Sequence, residues 1–131
     1  MSTFRRFDDI EAWQRARELT KTVYQLSGRG QFAKDFGLRD QIRRASVSIM
    51  ANIAEGFERD GTGEFIQFLA IAKGSAAEVL SHAYVALDQG FIHQADLDSL
   101  TDKTSRVSRM IAGLMIYLRK SGTKGLKFKV V

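Results

Sequence analysis

Residues 41–78 read QIRRASVSIMANIAEGFERDGTGEFIQFLAIAKGSAAE, two helical patterns set back to back around the turn ERDGTG. Spacing residues at about 100° puts Leu38, Ile42, Ala45, Ile49 and Ile53 on one stripe of the first helix. Val47, Met50 and Ala54 form a second apolar stripe on its far side. The second helix carries Phe65, Leu69, Ala72, Ala76, Val79, Ala83 and Leu87 on its main stripe, and Ile66, Ala70, Ala77 and Tyr84 on another. A helix that is apolar on two sides is buried on two sides, and the rest of one bundle covers only one of them well. Copies of the chain are therefore expected to cover the surplus, through Val47, Met50, Ala54, Ile66, Ala70 and Gly74. Gly74, in mid-helix, costs about 1 kcal/mol relative to alanine, so another backbone is expected to approach it closely.

Outward from this pair, two more amphipathic helices complete the fold. The first spans 10–27, with Ala12, Ala16, Leu19 and Val23 on its apolar face. Asp8 is its expected cap and Glu11 stands three residues on, the spacing of a capping box. SGRGQFAK (27–34) reads as the link that ends it, and Asp35 as the cap of the next helix, 36–59. Thr62 is the expected cap of helix 63–89, and Gly90 its stop. In helix 95–120, Leu97, Leu100, Thr104, Val107, Ile111, Leu114 and Leu118 alternate at three and four, a heptad-like seam. The expectation is an all-α domain over 1–121, an antiparallel up-down-up-down four-helix bundle, followed by a mobile basic tail at 122–131.

Composition agrees. The 131 residues are 44% hydrophobic, with no proline and no cysteine. Missing cysteines exclude disulfides and thiolate metal sites and fit a reducing cytoplasm. MSTFRRFDD lacks the apolar core of a secretion signal. No run reaches the roughly eighteen apolar residues that cross a bilayer, so no membrane role is expected.

The net charge of +5 favours an acidic partner, most commonly RNA or DNA. Guanidinium forks suit phosphate oxygens, which makes Arg5, Arg6, Arg15, Arg17, Arg39 and Arg43 the candidate contacts. The competing reading is a solvated face with local ion pairs, such as Asp40 with Arg44. A polar seam, Gln41, Arg44, Ser48, Asn52 and Glu55, runs between the two stripes of helix 36–59. It is either a ligand groove or a hydrogen-bonded network reaching Ser75 and Glu78, with Glu55 paired to Arg44 of a neighbouring copy; the network is the expected reading. His82 and His93 lie on different segments without acidic partners at ligand spacing, so no enzyme, metal or cofactor is expected.

FDDIEAWQRAREL (7–19), GLRDQIRRASVSIMANIAEGFER (37–59) and EFIQFLAIAKGSAAE (64–78) together resemble the four-helix-bundle family named for 23S ribosomal RNA intervening-sequence proteins. Most specific is the combination Gln41, Arg44, Ser48, Asn52, Ile53, Ala54, Glu55 and Gly56 with Phe68, Leu69, Ala72, Gly74, Ser75 and Glu78. Ala33 and Met50 stand where the family often has proline. The resemblance implies a homopentamer with a basic surface. It also implies kinship with the accessory protein of diversity-generating retroelements, which binds nucleic acid and works with a reverse transcriptase. The function expected is thus a non-enzymatic, oligomeric, sequence-tolerant nucleic-acid binder, with a protein-binding adaptor as the alternative.

Overall fold

Successive amphipathic stretches with short links form helices that must hide their apolar faces against one another. The structure, a computed structural model, describes residues 4–121; the basic tail expected at 122–131 lies outside them. A 3-10 turn at Phe7–Asp9 leads into α1 (Glu11–Ser27), α2 (Gly30–Lys34), α3 (Phe36–Phe57), α4 (Thr62–Asp88) and α5 (Gln94–Ser121), and there is no strand among the described residues. α1 packs on α3 and α5, and α4 packs on α3 and α5, so each long helix has two neighbours. No helix among the described residues is long and apolar enough to cross a membrane.

One core runs the length of the bundle. Ala16, Leu19 and Val23 of α1 meet Ile42, Ile49 and Ile53 of α3, Leu69, Val79 and Ala83 of α4, and Leu100, Val107 and Ile111 of α5. All seven residues of the heptad-like seam in α5 are buried. Each leucine, isoleucine or valine among them contributes about 1.5–3 kcal/mol when taken from water. Leu38 and Leu87, expected on the main stripes, are only half-buried because they sit near helix ends.

The helix ends differ from the sequence expectation in three places. Asp8 does not cap α1: the preceding residue is Ile10, without a side-chain cap bond. Instead Asp9 accepts the backbone N–H groups of Arg5 (2.9 Å) and Arg6 (3.1 Å) and so closes the turn before the helix. Those donors, Arg5 first, hold its carboxyl below the usual carboxylate range. Thr62 is the first residue of α4 and is buried, with Gly61 before it and no side-chain cap bond. The link 27–34 contains α2, whose Phe32 is buried and stacks on Phe91 at 5.5 Å between centroids.

Two expected ends are present. Asp35 accepts the Leu38 N–H at 3.1 Å. Gly90, at φ +75°, follows α4, with the Phe91 N–H bonded to the Ala86 carbonyl (2.8 Å) and its own N–H to that of Leu87 (2.9 Å). This pair of bonds is a Schellman closure, and the left-handed residue it needs is a glycine.

Candidate nucleic-acid interface

Charge is sorted by the two flanks of α1. Toward α5, Gln14, Arg15 and Glu18 face Ser99, Asp102, Lys103 and Arg106 across an open groove of about 640 Å³. Acids and bases alternate there, and Arg15 lies 3.7 Å from Glu11. Toward α3 the surface is different. The Thr20 hydroxyl donates to the Ala16 carbonyl at 2.8 Å and lies 3.3 Å from that of Ser46, while the Tyr24 ring lies under the Arg43 guanidinium at 4.5 Å. Arg17 precedes these two residues by three and seven positions and so shares their flank. It has no ion pair or hydrogen bond among the described residues.

Arg39 and Arg43 stand one turn apart on α3 and are both held in place. Arg43 donates from Nε to the Ser27 hydroxyl at 2.8 Å and reaches the Tyr24 carbonyl at 3.5 Å, which ties α3 to the C-terminal end of α1. Arg39 donates to the Ala33 carbonyl at 3.1 Å and to Asp40 at 3.1 Å, and its guanidinium lies 4.8 Å from the centre of the Phe36 ring. Asp40 therefore pairs with Arg39 and not with Arg44. Arg6 is likewise engaged, by Asp8 at 3.0 Å. Arg5 and Arg6 belong to the N-terminal turn and Arg15 to the α5 flank; of the six candidate arginines, Arg39 and Arg43 are neighbours on α3, and Arg17 lies two turns along α1 from the Tyr24–Arg43 contact. Lys103 and Arg106 are cations the sequence reading passed over; only the packing of α5 on α1 brings them beside Arg15.

The polar seam of α3 faces α4. Ser48 and Ser75 share a hydrogen bond of 2.9 Å between their hydroxyls, the cross-helix contact expected for a network. Asn52 donates to the Ser48 carbonyl (2.8 Å) and hydroxyl (3.0 Å) within its own helix and does not cross over. Glu55 pairs with Arg59, one turn on, at 2.8 Å, so its carboxylate has a partner inside this chain. Gln41, Arg44, Ser48, Glu78 and His82 line an open groove of about 260 Å³ above the serine pair.

The residues expected to meet other copies divide into two groups. Met50 is half-buried against α1, its sulfur 3.4 Å from the Thr20 hydroxyl, so this chain covers part of the stripe itself. Val47 is 43% exposed and Ala54 half-buried. On α4, Ile66 is half-buried and Ala70 and Gly74 are exposed. Ile66 stands nine residues before Ser75, about half a turn around the helix, and so points away from the α3–α4 seam. A Cβ added at Gly74 would meet nothing within 4 Å, so among the described residues no other segment approaches it. The close approach is at Gly56, where a Cβ would sit 2.7 Å from the Phe68 Cβ and 2.9 Å from the Phe65 ring.

Fold and surface together define a small helical-bundle protein with a basic, aromatic-bearing flank and, among the described residues, no group of His, Asp and Glu able to hold a metal ion. The chain belongs to the family described as 23S rRNA-intervening sequence protein, which it matches over residues 8–113. A solved structure with the same fold is a protein with unknown function from the S23 ribosomal protein family of Bacteroides thetaiotaomicron. It superposes with a TM-score of 0.73 at 21% identity, over 79% of this chain and 97% of that one. No curated protein matches the chain.

Proposed function

We propose that this is a non-enzymatic, oligomeric nucleic-acid-binding module of the cytoplasm, an antiparallel up-down-up-down bundle that holds phosphate backbone through the α1–α3 flank without reading sequence. The observation that carries this reading is the sorting of charge around α1. Arg39 and Arg43 stand on the α1–α3 flank, helical spacing turns Arg17 to the same side, and Glu18 looks into the α5 groove. Asp40 offsets Arg39, while Arg17 has no acidic partner among the described residues and Arg43 is held by the neutral Ser27 hydroxyl. Such a flank attracts a polyanion and releases its counterions.

Oligomerisation is part of the same reading. The uncovered residues of α3 and those of α4 lie on different sides of the bundle, which suits a head-to-tail contact, the kind that closes rings such as a pentamer. An adaptor that binds a protein such as a reverse transcriptase is the second reading, favoured by the large apolar side chains that α4 leaves exposed: Ile71 (53%), Tyr84 (51%) and Val85 (44%).

Fluorescence anisotropy with mixed-sequence RNA and DNA tests the proposal. Binding is expected at about 50 mM salt, falling linearly in log–log form as salt rises. Arg17→Glu should weaken it and reduce the salt slope by about 1; this residue makes no hydrogen bond or ion pair among the described residues, whereas reversing Arg43 would also loosen α1. Absence of binding at low salt overturns the reading. A protein partner captured despite nuclease treatment, and kept by the Arg17→Glu variant, would establish the adaptor instead.

A further inference from the structure

Two exposed aromatic rings on the basic flank carry more information than charge alone. Phe36, at the first position of α3, is 63% exposed, far more than a phenylalanine needs to be when a core lies one turn away. Tyr24, near the end of α1, is 43% exposed. Each ring is paired with a guanidinium, Phe36 with Arg39 at 4.8 Å and Tyr24 with Arg43 at 4.5 Å. The two guanidiniums are themselves fixed, Arg39 by the Ala33 carbonyl and Asp40, and Arg43 by Ser27 and the Tyr24 carbonyl. Because Arg39 and Arg43 are one helical turn apart, the surface reads ring, cation, cation, ring.

We propose that this row is a stacking platform for unpaired bases, so that the nucleic acid bound by the α1–α3 flank is single-stranded. The inference rests on the reading of that flank as a nucleic-acid interface and narrows it to one class of ligand. A duplex turns its phosphates outward and keeps its base faces stacked inside, so it uses the cations and leaves the rings idle. A single strand uses both: successive bases lie on aromatic and guanidinium planes while phosphates track the positive charge. Every base has a π-face, so such a platform is tolerant of sequence. Arginines already locked by hydrogen bonds lose little freedom when a base settles on them.

The test is anisotropy with the full chain and four labelled ligands of one sequence, RNA and DNA, each single-stranded and as a duplex, at about 50 mM salt. Both single strands should bind at least about fivefold tighter than either duplex, and Phe36→Ala should weaken the single strands by about fivefold or more while leaving the duplexes unchanged. Phe36→Trp should restore the affinity, and its added fluorescence should be quenched as the strand binds. Phe36 packs into no core, so these variants fold. If single strands and duplexes bind alike and Phe36→Ala alters neither, the platform is refuted while the phosphate-binding flank survives. If no ligand binds, both fall. If Phe36→Ala changes the mass of the assembly but not the binding, the ring is covered by a second copy and the platform is refuted.

Discussion

Two glycines inside helices, Gly56 near the end of α3 and Gly74 in the middle of α4, put the same question to two regions and receive opposite answers. At Gly56 the reason for glycine is inside the chain: α4 arrives so closely that a Cβ would collide with Phe65 and Phe68. At Gly74 the helix gives up the stability an alanine would supply, and nothing among the described residues occupies the space. The α3–α4 turn is thus explained by one copy of the molecule, whereas the outer face of α4 is where we propose that something else comes against it. In this account that something is another copy.

Substitution at the first glycine should cost the most. Gly56→Ala should destabilise the fold by about 1–3 kcal/mol, as overpacking of a filled site does, read as a lower denaturant midpoint with an unchanged m-value. An unaltered midpoint would mean that Phe68 yields without cost. Gly74→Ala should behave oppositely, raising helix stability by about 1 kcal/mol or less while weakening self-association; a gain in stability with association untouched would remove the packing role assigned to this position. Ser75→Ala, next to Gly74 in α4, removes one of the two hydrogen-bond partners of the Ser48 hydroxyl and should cost about 0.5–1.5 kcal/mol in the same denaturant assay, whereas a neutral result would show that Asn52 alone satisfies Ser48.

The smallest effect lies outside both regions. Asp9 has a folded-state pKa depressed below 3.8 by backbone donors. The stability it adds to the N-terminal turn is present above that value and is lost as pH falls through the lower folded one. The amide resonances of Arg5 and Arg6 should therefore titrate below pH 3.8; titration at or above the ordinary value would contradict the geometry.

What the sequence made legible was periodic. Leu97 to Leu118 and Ile42 to Ile53 declare their helices because apolar spacing is a property of one segment. What it hid depends on segments meeting. Phe32 sits among glycines and reads as a link residue, yet it is buried because Phe91 returns beside it after α4. Gly56 reads as an ordinary residue near a helix end, because the rings that crowd it belong to the next helix. Arg39 and Arg43 read as free phosphate ligands because two of their acceptors are backbone carbonyls, of Ala33 and Tyr24, which no residue type advertises. The serine contact from Ser48 to Ser75 was foreseeable, since both are small polar residues on facing stripes; the inward turn of Asn52 onto its own helix was not.

Closure of the bare faces of α3 and α4 by further copies of the same chain, as proposed, can be read from multi-angle light scattering of the full protein at micromolar concentration. The expected mass is several times 14.7 kDa and falls when Gly74 is changed to leucine. A particle of 14.7 kDa, indifferent to that change, would contradict it.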